Sequence, residues 1–147
     1  MSDSELLQRL VDIEEIKRLK ARYFRTLDRK EWDGFGLVFA TDGRMEVPEG
    51  EVDVRGREEI RAFISKTLDG VRTVHHGHMP EIEITGPDTA RGIWAMFDYV
   101  EFPAPERGDR VGLRGYGHYT EEYVREEGEW RIKHLHLSRI RIDSLDD

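Results

Sequence analysis

The chain has no cysteine, which excludes disulfides, thiolate metal sites, iron–sulfur clusters and a cysteine nucleophile together. Long apolar runs are missing too, since nothing approaches the roughly 20 residues that span a bilayer. The opening residues, MSDSELLQRLVDIEEIKRLK, have neither the basic start nor the unbroken apolar core of a secretory signal. The expected location is cytoplasmic, with no membrane partner. An excess of positive charge is also lacking: 23 Lys and Arg stand against 31 Asp and Glu, a net charge of −8. The bases are interleaved with acids, as in KRLKARYFRTLDRKEWD, and form no stripe. Such a surface repels phosphate backbones, so nucleic acid is not an expected partner. No glycine loop of the phosphate-cradling kind is present either, and GYGH at 115–118 reads as two strand glycines marking a bulge or bend.

What is present fits one domain over 1–147, long enough to bury about two-thirds of its unfolded surface. Ser2 and Glu5 make a capping box, and Leu6, Leu10, Ile13, Ile16, Leu19 (or Lys20), Tyr23 and Leu27 recur at helical spacing as one apolar stripe. A short helix is expected over Glu31–Ala40, with Trp32, Phe35, Val38 and Phe39 on its buried side. Arg44–Val47 reads as a strand, and PEGEVDVRG as turns around another. REEIRAFISKTLDG reads as a third helix stopped by Gly70. From Val71 the period changes to two. Strands are expected near 71–85, 89–102, 112–125 and 129–142, separated by turns at 86–88, 103–109 and 126–129. Helices first and a meander after give an α+β class: a cone-shaped α+β roll, its N-terminal helices packed on a strongly curved, mainly antiparallel sheet that encloses a pocket.

The stretch TVHHGHMPEIEI holds three of the six histidines. Strand side chains alternate faces, and Val74, Ile82 and Ile84 are even-numbered. That parity turns His76 and His78 inward and His75 outward, unless Gly77 or Pro80 marks a bulge. The pairs His76/His78 and His134/His136 could each present two imidazoles to an ion, but neither has a carboxylate at ligand spacing in its own strand. No metal and no cofactor are expected. On the last strand the parity changes between Trp130/Ile132 and Leu135/Leu137, so a bulge near 133 is expected to turn His134 and His136 outward. A histidine base needs an orienting carboxylate. Asp28, following the helix stripe and preceding Trp32 and Phe35, is the candidate, with a helix-capping role as the alternative.

ARYFRTLDRKEWDGF, RGREEIRAF, the HH before PEIEI, and GHYTEEYVREEGEWRIKHLHLSRI together resemble the SnoaL-like branch of the nuclear transport factor 2 superfamily over roughly residues 5–142. Within it the chain looks most like the bile acid 7α-dehydratases, and more distantly like scytalone dehydratases and hexachlorocyclohexane dehydrochlorinases. The resemblance implies a catalytic pair of Asp28 with His76, assisted by Tyr23 and Arg139, and a homodimer or homotrimer. Leu27, Val47 and Glu101 stand where scytalone dehydratases hold their water, and Tyr23 stands where the dehydrochlorinases have Lys, so neither of those substrates is implied.

The expected function is that of a cofactor-independent lyase or isomerase, dehydratase-like, using His76 and Asp28 in acid–base proton transfer. Its partner would be a small hydrophobic ring compound, steroid-like, terpenoid or polyketide. Phe24, Phe35, Phe39, Met45, Phe63, His78, Trp94, Met96, Tyr116 and Tyr119 are the candidate walls of the pocket. The alternatives are a non-catalytic binder of small hydrophobes and a structural subunit of a larger oxygenase-type assembly.

Overall fold

The computed structural model describes residues 1–103 and 110–146; most of the turn expected at 103–109 lies outside them. The capping box forms as the sequence requires: Ser2 Oγ accepts from the Glu5 amide, and Glu5 Oε2 accepts from the Ser2 amide. It starts α1 (Asp3–Asp28). After α2 (Trp32–Leu37) come β1 (Phe39–Val47), a 3-10 turn (Pro48–Gly50), β2 (Val52–Arg55) and α3 (Arg57–Leu68). The meander then runs through β3 (Arg72–Gly86), β4 (Thr89–Phe102), β5 (Val111–Glu126) and β6 (Glu129–Ser144). The strands form one curved, open, mixed sheet in the order β2-β1-β6-β5-β4-β3, antiparallel except where β1 runs parallel to β6. The helices pack on its concave side, and the class is α+β.

Two boundaries differ from expectation. α2 stops at Leu37, and β1 begins at Phe39, five residues before the expected strand start. Phe39 pairs with Ile132, and the Ile132 amide donates to the Val38 carbonyl, so the parallel ladder takes the end of the expected helix. The apolar stripe of α1 also finds no partner in its first turns. Leu6 and Leu10 are exposed, as are their neighbours Leu7 and Val11, and burial begins at Asp12. There the carboxylate Oδ1 accepts from Arg125 and from the Trp130 indole. Burial raises the Asp12 pKa, but the bonds from Arg125, Trp130 and Gln8 outweigh it and hold the group below the ordinary carboxylate value.

Beyond that point Ile16, Leu19, Tyr23 and Leu27 of α1 join Phe35, Phe39, Met45, Ile60, Trp94, Met96, Tyr119, Ile132 and Leu135 in the core between helix and sheet. No helix of the described residues is long and apolar enough to cross a membrane.

Candidate active site

The decisive local feature is a bulge in β3. His78 pairs with Ala95 and Glu81 with Ile93, so β3 advances three residues while β4 advances two. Pro80 has no N–H to give to the ladder, and Met79 beside it takes φ +41° and is almost fully exposed. A one-residue excess inverts the facing of everything before it. Upstream of the bulge Val71, Thr73 and His75 are therefore buried, whereas Val74, His76 and His78 lie on the convex, solvent face. His76 and His78 are thus corrected to outward residues. The His76 ring sits 5.8 Å from Phe97 and 5.7 Å from His78 on that face.

The inward histidine is His75, 8 % exposed, and it meets the carboxylate at the end of α1. Asp28 Oδ1 lies 2.7 Å from His75 Nδ1, and Oδ2 accepts from the His75 amide at 2.8 Å. The Thr73 hydroxyl donates to Oδ1 at 2.9 Å and accepts from Lys30 Nζ at 2.7 Å. Burial pulls the Lys30 pKa down, against the opposing charge of Asp28. With Nδ1 held by a carboxylate, the Nδ1–H tautomer is favoured and Nε2 carries the free lone pair. No described residue hydrogen-bonds to Nε2.

β4 and β5 continue the same inward rung: His75 lies opposite Asp98, and Asp98 opposite Gly115. A Cβ at Gly115 would stand 2.1 Å from Asp98 Oδ1 and 2.6 Å from Arg139 Nε. The absent side chain is what lets Arg139 reach across from β6, with Nη2 at 2.5 Å from Asp98 Oδ2 and Nε at 3.4 Å from Oδ1. Burial lowers the Arg139 pKa, but the bonds and charge of Asp98 more than reverse this, and the guanidinium stays charged.

Deeper along the concave face a second ion pair is wholly buried: Lys20 Nζ lies 2.6 Å from Glu121 Oε2. Glu121 Oε1 accepts from the Tyr123 hydroxyl at 2.7 Å, which accepts from the Trp94 indole at 2.8 Å. The ammonium also sits over two rings, 3.9 Å from the Tyr23 centroid and 3.6 Å from that of Tyr119. Burial drops its pKa to about 8 in spite of Glu121. Tyr23 is buried in the same interior. Burial first, and then the charge of Glu121, push its pKa up, against a hydrogen bond with Tyr119 that lowers it; Asp98 and Asp28 add to the rise from a distance. Five helical residues turn Asp28 and Tyr23 roughly 140° apart on α1.

Of the expected walls, Phe35, Phe39, Met45, Trp94, Met96 and Tyr119 are buried, and Phe24 is half-buried against the core. Tyr116 and Phe63 do not belong there. Tyr116 falls on the convex face, 5.5 Å from Phe97, and Phe63 is exposed on α3. Asp28, His75 and Tyr119 line none of the five prominent clefts of 240–560 Å³ on the described residues. Phe24 occupies the space a side chain at Gly77 would take, its Cζ 2.7 Å from that Cβ position. Among the described residues no three His, Asp or Glu side chains converge as a metal site.

A SnoaL-like domain model matches residues 8–136. The chain belongs to the SnoaL-like domain family. This places it in the nuclear transport factor 2 superfamily. It is 26 % identical, over 137 aligned positions, to the probable cyclase FGR4 of Gibberella zeae, covering 85 % of this chain and 89 % of that protein. Its fold matches a hexachlorocyclohexane dehydrochlorinase, LinA type 2, with a TM-score of 0.82 at 20 % identity, over 95 % of this chain and 92 % of that one. A scytalone dehydratase-like protein of Novosphingobium aromaticivorans matches with a TM-score of 0.80 at 20 % identity, over 92 % and 88 %.

Sequence reasoning missed His75, Thr73, Lys30, Asp98 and the Lys20–Glu121 pair. A signal existed for Asp98, which shares parity with Trp94 and Met96, and for Glu121, which lies between Tyr119 and Tyr123 on one face. For His75 the signal was Val71, an apolar residue of odd parity just before it.

Proposed function

We propose that this SnoaL-like protein is a cofactor-independent lyase or isomerase that moves protons on a small hydrophobic ring substrate, with His75 as the base and Asp28 as its orienting partner. The observation that carries this reading is the Asp28–His75 pair itself, buried against the concave face with Nε2 untaken. His75 Nε2 would remove a proton from a carbon next to a carbonyl or a leaving group, and Asp28 would stabilise the imidazolium so formed. Tyr23, buried in the core, and Arg139, paired with Asp98 opposite His75, would meet the oxygen that gains charge or departs. Arg139 is already committed to Asp98 on two nitrogens, which leaves it less free than a phenol. Entry of a ring requires the half-buried Phe24 to swing away from Gly77. The relatives named as cyclase, dehydratase-like protein and dehydrochlorinase support chemistry of this general kind.

Deuterium uptake by 2-tetralone in heavy water tests the assignment. General-base catalysis contributes about 10²- to 10⁴-fold, so His75→Ala should lose at least about 10²-fold of the enzymatic exchange, while His76→Ala keeps it. The reverse pattern overturns the assignment. The packing of Phe24 against Gly77 favours a second reading, a non-catalytic subunit, and that reading predicts no exchange above buffer with either protein.

A further inference from the structure

Residue 30 is a lysine where the backbone favours a glycine. α1 ends in a Schellman motif: the Lys30 amide donates to the Leu27 carbonyl and the Glu31 amide to that of Thr26, with Lys30 itself at φ +59°. Glycine takes this left-handed position without steric cost, and any other side chain there weakens the helix end. Lys30 is also half-buried, and burial works against its ammonium while the charges of Asp28 and Asp69 work for it. Neither the backbone nor the burial accounts for a lysine. The Trp32 ring, 5.9 Å from Nζ, stands at the outer limit of a cation–π contact. The close contact is with Thr73: Nζ lies 2.7 Å from its hydroxyl, which lies 2.9 Å from Asp28 Oδ1.

The series Lys30, Thr73, Asp28, His75 has one direction. An ammonium can only donate and a carboxylate can only accept, so a hydroxyl set between them has a single orientation, its proton on the Asp28 side. Asp28 Oδ1 then takes two donors, the Thr73 hydroxyl and His75 Nδ1, and Oδ2 takes the His75 amide. Thr73 and His75 stand two apart on β3 and face the same way, and the branched Thr73 side chain has little χ1 freedom. Three donors from one strand fix the plane of the carboxylate, and the carboxylate fixes the ring. Asp98, opposite His75 on β4, is taken by Arg139, so the orientation of the imidazole depends on Asp28.

We propose that Lys30 and Thr73 are positioning residues for the base: Lys30 pins the Thr73 hydroxyl, Thr73 pins Asp28, and Asp28 holds the His75 ring with Nδ1–H on the carboxylate and Nε2 free for a substrate proton. The inference rests on the acid–base reading above. Neither residue touches the substrate. Their loss leaves the pair present but loose, and misplacing a base by about 1 Å costs on the order of 100-fold in rate.

The test compares Lys30→Gly, Thr73→Val and Thr73→Ser with wild type in the full chain, by Tm, by the proton NMR resonance of the His75 Nδ1–H and by 2-tetralone exchange. A proton held this closely by a carboxylate resonates far downfield of the amides, and its loss in His75→Ala assigns it. Lys30→Gly and Thr73→Val should broaden it or move it upfield, and should lower kcat for exchange by about 10- to 100-fold with KM little changed. Thr73→Ser should keep both signals. Lys30→Gly should keep or raise Tm, since it relieves the left-handed residue. A wild-type resonance in either Lys30→Gly or Thr73→Val overturns the proposal. So does a Thr73→Ser variant that behaves like Thr73→Val, because the effect would then belong to packing. A resonance lost in Lys30→Gly together with a large fall in Tm also overturns it, because Lys30 would then serve the fold. The two readings can fail separately. If wild type shows no exchange but the resonance responds as expected, the lyase assignment falls and the positioning role stands; exchange lost in His75→Ala but kept with the resonance in Lys30→Gly and Thr73→Val does the opposite.

Discussion

Replacing Lys20 by methionine takes one charge out of a pair that water does not reach. Both side chains are fully buried, and Glu121 Oε2 has no other described partner. Methionine fills a similar volume, and its sulfur packs acceptably against the rings of Tyr23 and Tyr119, so little packing is lost. What remains is a buried carboxylate held by the Tyr123 hydroxyl alone. Removing one member of a buried ion pair typically costs about 3–5 kcal/mol. For a chain of this length each kcal/mol moves Tm by about 2–4 °C, so a fall on the order of 10 °C is expected by circular dichroism. The control is Lys20→Met with Glu121→Gln, which removes both charges and keeps an acceptor for Tyr123. With no charge left buried, this double variant should recover most of the loss, and the remainder is the cost of the Gln amide N–H that Lys20 no longer faces. A double variant that falls as far as the single one refutes the reasoning, because the loss would then come from packing and not from an unpaired charge. The pH dependence is a second check. Lys20 titrates near about 8 in the fold, against 10.5 for the free side chain. Between those values the unfolded chain holds a proton that the folded chain has released, so wild-type stability rises with pH through that window, and on descending the gain is lost by the time the pH reaches about 8. Lys20→Met should abolish that slope.

Two further predictions concern the backbone. Gly115→Ala puts a methyl 2.1 Å from Asp98 Oδ1 and 2.6 Å from Arg139 Nε, so it should break their pair, lower Tm by several degrees and reduce 2-tetralone exchange; unchanged values for both would show that the pair does not need that space. Met79→Gly relieves an exposed residue held at φ +41° and should stabilise by about 1 kcal/mol in urea unfolding, whereas a loss of stability would mean that the Met79 side chain supports the bulge.

The bulge at Met79 also explains why the fold was more legible than the site. Turn residues and period-two patterning located β3 to β6 to within a few residues, because those signals are local. The parity change at Lys133 was readable because buried apolar residues stand on both sides of it: Ile132 pairs with Tyr123 and His134 with Glu122, leaving Lys133 as the extra residue. Around Pro80 the same test misled. Val74 faces solvent, yet it shares parity with Ile82 and Ile84 across the bulge, so three apolar residues agreed on an unbroken even face. Only Val71 dissented. Asp28 was visible as an acid among apolar neighbours, but its partner depended on which way one strand turned. Lys20 and Glu121, 101 positions apart, are joined only by docking α1 on β5, which no local pattern reports.

The two buried ion pairs are hard to explain as stabilisers. Well-packed apolar side chains in their place would hold the helix to the sheet at least as firmly. What the pairs do is fix other groups. Lys20, anchored by Glu121, lies against the rings of both Tyr23 and Tyr119, and Arg139 crosses Gly115 to hold Asp98 beside His75. A phenol and an imidazole held from several sides need little rearrangement when charge develops between them, which is the condition under which fixed dipoles accelerate proton transfer. The polar lining of this interior therefore fits the proposed acid–base reading, which the exchange experiment decides.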